Sequence, residues 1–303
     1  MNTHSYIKDN KNKNIKIYIN GEILKRDDAK ISVFDSGFLL GDGIWEGIRL
    51  HNRCLVFEDE HFDRLYNGAK ALDINIGISK SKLKTIIFKL LRSNNMISDV
   101  HIRLIISRGL KKTPYQHPSA NVGGASLVII PEYKKADINV NRKGIKLATV
   151  SIKRGTESIQ DPRLNTLSKL NCIFACIEAD KLGADEGLML DINGNVSTCN
   201  STNFFIVKNK QVWTSTADYC LPGVTRQKVI QLCEENNIDV FEKNFLIKDV
   251  INAEEIFVTG TFAGVIPVVF FDGRKVNSGI RGSITKKIFN LYREKIEKLY
   301  PES

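Results

Sequence analysis

Apolar and polar residues alternate from Ile15 to Ile19 and stop at Asn20-Gly21, a dipeptide suited to a two-residue hairpin turn. Glu22-Ile23-Leu24 resumes the pattern, so a β-hairpin is predicted. Ile31 to Phe34 leads into a glycine-punctuated loop, Asp35 to Gly43. Ile44 to Leu50 and Arg53 to Phe57 then read as strands. At Asp59 the period changes to that of a helix, with Phe62, Leu65, Ala69 and Leu72 on one face. Lys80 to Ser93 is a second amphipathic helix. His101 to Ser107 and Ser126 to Pro131 return to strand. The polar stretch between them, Arg108 to Gly124, is long for a loop inside a compact domain, and such loops are usually functional.

The second half mixes elements without strict alternation. Ile145 to Ile152 reads as a strand. Gly187 to Asp191 pairs with Val196 to Thr198 through Asn193-Gly194, and Phe204 to Val207 and Val212 to Thr214 follow. Leu221-Pro222-Gly223 opens a helix to about Asn236. Val240 to Phe245 and Glu255 to Thr259 are further strands, Thr261 to Val265 turns, and Ser283 to Leu299 is a closing helix. Strands and helices in this order predict an α+β fold. A length of 303 residues suits two domains, a small one at 1–133 and a large one at 139–303, joined by a linker at 134–138.

Composition narrows the function classes. Apolar residues at 42% and charged residues at 26% are ordinary for a globular protein, and no apolar run approaches the roughly 20 residues of a membrane span. Met1 to Lys16 is polar and lacks a hydrophobic signal core, so it reads as a disordered lead-in and the protein as cytoplasmic. The formal charge of +10 comes from scattered lysines with no interleaved aromatics, a solvated surface that binds neither nucleic acid nor membrane. Six cysteines form no CxxC, and reduced thiols are expected.

Two short stretches read as anion-binding. Leu221-Pro222-Gly223-Val224-Thr225-Arg226 places small residues and a hydroxyl at a helix start, where backbone N–H groups point outward. Thr259-Gly260-Thr261-Phe262-Ala263-Gly264 is a hydroxyl-bearing turn after a strand. With His61-Phe62-Asp63-Arg64-Leu65, Phe38 to Glu46 and Asp185 to Gly194, they resemble, in order, the motifs of the class IV, fold-type IV, pyridoxal-phosphate (PLP) aminotransferases, nearest the branched-chain members. The resemblance spans nearly the whole chain. It implies PLP as cofactor, with phosphate held by the N–H groups of Val224 and Thr225, by Thr261 and by Arg64. It further implies a homodimer acting on a small, branched-chain-like α-amino acid and a 2-oxo acid.

The segment Asp161-Pro162-Arg163-Leu164-Asn165-Thr166-Leu167-Ser168-Lys169-Leu170-Asn171 runs into an apolar helix ending at Ile177-Glu178-Ala179 and resembles the family's lysine segment. Counted back without gaps from Glu178-Ala179, the Schiff-base lysine position is Asn165. An asparagine cannot form an imine. A lysine follows four residues later, where branched-chain members often carry a tyrosine, and Lys169 is the candidate replacement. Leu167, Leu170 and Ile173 mark the apolar face of the helix, and Lys169 lies off its centre. The glutamate expected at the pyridine nitrogen is replaced by Thr198. A neutral hydroxyl leaves the ring a weaker electron sink. That keeps open a lyase of the aminodeoxychorismate-lyase kind, and a non-catalytic relative that retains only the phosphate cup. Arg103, Arg108, Lys111, Lys112 and His117 are candidates for a substrate carboxylate. The long loop lacks the Arg-x-His pair of D-amino-acid aminotransferases.

Overall fold

The structure is a computed structural model that describes residues 3–302. The chain divides into two compact units. One holds residues 7–135, 164–169 and 300–302, and the other holds 3–6, 136–163 and 170–299.

In the first unit, β1 (Lys16–Ile19) and β2 (Glu22–Lys25) make the hairpin, with Asn20 and Gly21 at φ 48° and 108°. Next come α1 (Ser36–Leu40), β3 (Gly43–His51), β4 (Cys54–Leu55), α2 (Glu58–Ala71) and α3 (Lys80–Ser93). β5 (Val100–Ser107) and β6 (Ser126–Tyr133) complete a six-stranded antiparallel sheet in the order β2-β1-β6-β5-β3-β4. Alternation along β5 turns Val100, Ile102, Leu104 and Ile106 into the core, where they meet Phe62 and Leu65 of α2 and Leu83, Ile87 and Leu90 of α3. Ser79 starts α3, its hydroxyl accepting from Lys82 N at 3.2 Å. The glycine-punctuated loop contains α1, because Asp35 accepts from Gly37 N and supplies an N-cap. The strand expected over Arg53 to Phe57 shrinks to two residues, Phe57 taking a left-handed φ of 52° just before α2.

The second unit contains α4 (Ile138–Lys143), β7 (Ile145–Thr149), α5 (Leu170–Lys181), β8 (Glu186–Leu190), β9 (Val196–Cys199), β10 (Asn203–Lys208) and β11 (Gln211–Thr214). α6 (Val224–Glu235), β12 (Val240–Glu242), β13 (Glu255–Gly260), β14 (Gly264–Phe271) and α7 (Ser283–Leu299) follow. Eight of these strands lie in the order β9-β8-β7-β14-β13-β10-β11-β12, and the short strand Arg274–Lys275 adds to β14. The sheet is mixed, parallel at β8-β7-β14 and at β11-β12. α6 and α7 pack on each other and on β13. Glu255 of β13 accepts from the backbone N–H groups of Ile284 and Thr285, so a strand carboxylate caps the start of α7.

Two expectations change here, and one strand lies where none was expected. β14, an eight-residue strand at the centre of the sheet, carries Pro267, which argues against a central strand in a sequence reading. α5 turns Ala175 and Ala179 inward, while Leu170, Ile173, Phe174 and Ile177 are 46–60% exposed. The reason is close approach: a Cβ on Gly187 of β8 would stand 2.9 Å from the Ala175 carbonyl oxygen, so only small residues fit beneath the helix. The lead-in is partly ordered, with Thr3 buried and Asn10–Asn14 forming a 3-10 turn capped by Asp9. Met1 and Asn2 lie outside the described residues.

Leu83 is fully buried where α3 meets the first unit's sheet. Leu83→Ala is expected to cost about 2–5 kcal/mol of stability. The change is read as a lower urea midpoint at an unchanged slope.

Candidate functional site

A buried carboxylate organises the first unit's part of the site. Ile44, Glu46, Ile48 and Leu50 face inward from β3, so Glu46 interrupts an otherwise apolar row. A charge there must be paired. Two residues of α2, three apart on one face, supply the partners: His61 Nδ1 donates to Glu46 Oε2 at 2.8 Å, and Arg64 donates to both oxygens through Nε (2.7 Å) and Nη2 (2.9 Å). Burial by itself would raise the Glu46 carboxyl. The Arg64 charge and the bonds from His61 and Arg64 together outweigh burial and hold it below its ordinary value. The His-x-x-Arg pattern thus has a local cause, and Arg64 keeps two donor nitrogens on Glu46.

The segment 164–169 docks against the start of β3. Trp45 N donates to Asn165 O at 2.9 Å, Leu167 N donates to Gly43 O at 2.9 Å, and Ile44 and Thr166 form an antiparallel bridge. Asn165 is buried, and its Nδ2 donates to the Trp45 carbonyl at 2.7 Å. Its amide therefore closes the same strand bridge that its backbone opens. Gly43 permits the docking, since a Cβ there would collide with the Ile106 carbonyl and stand 2.7 Å from Leu167 Cδ1. Lys169 Nζ lies 5.9 Å from the centroid of the Trp45 ring, and Arg103 Cζ lies 4.1 Å from the same centroid.

Arg108 and Lys111, two of the carboxylate candidates, are held by groups of the protein itself. Arg108 holds Asp42 through Nε (2.7 Å) and Nη2 (3.1 Å) and also donates to the Leu72 and Asp73 carbonyls. Lys111 is buried with Nζ on Asn121 Oδ1 at 2.8 Å. Both anchor the loop from Arg108 to Gly124. Within that loop, Leu110–Lys111 pairs with Asn121–Val122. His117 Nδ1 is engaged with Ser119.

Thr198, Val224, Thr225 and Thr261 belong to the second unit. Gly223 precedes α6 in extended conformation, and no side chain caps the helix's first turn. A Cβ on Gly223 would collide with Asn203 Oδ1. Asn203 Nδ2 donates to the Leu221 carbonyl at 2.9 Å, and its backbone pairs with Thr259 of β13, two residues before Thr261. One amide on β10 therefore brings the start of α6 beside the turn that carries Thr261. The Thr259 hydroxyl, buried in that corner, has no hydrogen-bond partner. Arg226 locks α6 in place, its Nη2 donating to Ser215 O and Glu242 Oε2, each at 2.6 Å. Thr198 is buried opposite Met189, and its hydroxyl donates to the Thr202 carbonyl at 2.8 Å. Its proton is thus committed, and the oxygen is left as an acceptor. Glu46 and Asn203 were not singled out by role in the sequence. The signals were there: an acidic residue at an inward strand position, and a polar residue opening the run Phe204-Phe205-Ile206-Val207.

Residues 43–270 match the amino-transferase class IV family. A protein of Methanocaldococcus jannaschii described as a putative branched-chain-amino-acid aminotransferase is 36% identical over 281 residues, covering 92% of this chain and 96% of its own. Branched-chain-amino-acid aminotransferase-like protein 2 of Arabidopsis thaliana is 37% identical over 283 residues, covering 93% of this chain and 50% of its own. The chain thus spans about half the length of that relative. Among solved structures, an aminotransferase from Brucella abortus bound to the cofactor PLP superposes with a TM-score of 0.80 at 27% identity, over 92% of this chain and 98% of its own.

Removing Glu46's charge strands Arg64 in a mostly buried place. Glu46→Gln is expected to cost roughly 3–5 kcal/mol at neutral pH. Because the folded carboxyl titrates below its unfolded value, the stabilisation is present above the ordinary carboxylate pKa, about 4.3, and is lost as pH falls through the lower folded value. The urea stability gap between wild type and variant should therefore close on acidification, and a gap that widened would contradict the pairing.

Proposed function

The chain belongs to the class IV aminotransferases, and on that premise we propose that it is a PLP-dependent aminotransferase with Lys169 in the place of the missing lysine. It moves an amino group between a small, branched-chain-like α-amino acid and a 2-oxo acid. The observation that carries this reading is convergence on Trp45: the Asn165 amide binds its carbonyl, and the Lys169 amine stands over its ring. The amine sits four residues from its usual position in the chain, yet both residues reach the same neighbour.

The phosphate end of the cofactor suits this chain. The uncapped N–H groups of Val224 and Thr225, the Thr261 hydroxyl and the Arg64 cation are the ligands we assign to it. PLP, when bound, supplies an aldehyde that takes up an amine and a ring that withdraws electrons from the substrate's Cα–H bond. Lys169 Nζ would hold the cofactor and would take and return the substrate's Cα proton. Thr198 would stand at the pyridine nitrogen. Because its hydroxyl proton is given to Thr202, it offers the ring nitrogen neither a charge nor a donor. That feature supports the second reading, a lyase, which product analysis separates: pyruvate or ammonia formed without an amino acceptor means elimination.

The protein acts as a homodimer in the cytoplasm. The exposed apolar side of α5 supports self-association, as do the exposed Val33, Phe34, Phe38 and Leu40, which adjoin Leu110 through the Asp35–Leu110 bridge and the Lys111 N to Phe34 O bond. No helix among the described residues is long and apolar enough to cross a membrane, and all six cysteines are free thiols.

Borohydride reduction of PLP-loaded protein followed by peptide mapping should place the pyridoxyl group on Lys169. Lys169→Ala should abolish attachment and slow amino transfer by about 10²–10⁴-fold. Attachment to another lysine overturns the assignment. PLP held reversibly with no attachment anywhere favours a non-catalytic relative.

A further inference from the structure

Thr3 and His4 sit at the cup of the second unit rather than trailing from it. Thr3 is buried, and its hydroxyl donates to Glu186 Oε1. Glu186, fully enclosed at the start of β8, also accepts from Ser201 Oγ at 2.6 Å and from Thr202 Oγ1 at 2.7 Å. Three hydroxyls therefore converge on one carboxyl. Burial pushes that carboxyl up, against the hydroxyl bonds that pull it down. The neighbouring residue, His4, lies parallel to the Phe262 ring, with centroids 6.1 Å apart and an interplanar angle of 10°.

The two contacts reach the two turns on which the cup depends. Residues 199–202 join Thr198 to Asn203, the residue that places the start of α6. The turn is drawn tight by Thr202 O, which accepts from both Cys199 N and Thr198 Oγ1. Phe262 directly follows Thr261. The turns also touch each other, since a Cβ on Gly260 would stand 3.4 Å from Thr202 Cγ2. Thr3 thus holds one turn through Glu186, and His4 holds the other through Phe262.

We propose that residues Thr3 and His4, with Glu186, form a clasp that positions the two cup turns for a phosphorylated pyridine ligand. This rests on the PLP reading given above. None of the three touches the ligand; they are positioning residues. Because coupling is reciprocal, a ligand that prefers the clasped arrangement must also hold the segment 3–6 in place.

The test is PLP titration of the full chain, paired with amide hydrogen exchange. The Thr3→Val/His4→Ala protein should bind PLP about tenfold more weakly, within the usual range of coupling between sites. Thr3→Ser, which keeps the hydroxyl, should bind as wild type does. In wild type, PLP should slow exchange across residues 3–6. A double variant with unchanged affinity would overturn the clasp. Should wild type bind no PLP, the cofactor reading fails by itself, and exchange in the ligand-free proteins decides the clasp. Faster exchange at 199–203 and 260–263 in the double variant supports it, and unchanged exchange overturns it. If the double variant does not fold, Thr3→Val against Thr3→Ser gives the same comparison.

Discussion

One carboxylate placed where a strand should be apolar sets the terms for the first unit. Glu46 lies inside a row of isoleucines and leucine, and its burial is tolerable only because His61 and Arg64 arrive on the same turn of α2. That requirement fixes how α2 lies across β3. It also fixes the far face of the strand, because alternation then sends Trp45 outward to the residues around which the candidate chemistry gathers. The pairing and the presentation of Trp45 are consequences of one strand register, and a slip of one residue would undo both.

Trp45 is where the departures in sequence become a structure. The glycine-rich approach to β3 leaves room for residues 164–169 to bridge the strand, and Asn165 completes the bridge with its own side chain. An asparagine suits this place sterically and by hydrogen bonding. The two cations over the indole, from Lys169 and Arg103, come from a loop and a strand far apart in the chain.

Much of the architecture was legible in the sequence where periodicity is strong. α3 and α7 span the residues their patterns indicate, and the Asn20-Gly21 hairpin takes the backbone angles that its residue types favour. Less was legible where tertiary contacts overrule local signals. Pro267 hides a central strand because its missing N–H is tolerated at one point of a ladder that is otherwise complete. The α5 face was misread because a hydrophobic stripe says nothing about which neighbour is close, and here the neighbour is a glycine that admits only alanine. The anion-binding stretches were found from residue types, but the amide that brings them together, Asn203, acts across some twenty residues and leaves only a single polar letter before an apolar run. Arg108 and Lys111 show the converse: charges in a long loop looked available, yet serve as its anchors.

The inversion of α5 separates two kinds of change. Its alanines answer to the sheet beneath, and the large residues on the other side are about half exposed. Substitutions on the outer side can change the surface the helix presents without disturbing how it folds. The outer face is thereby free to drift while the scaffold stays constant.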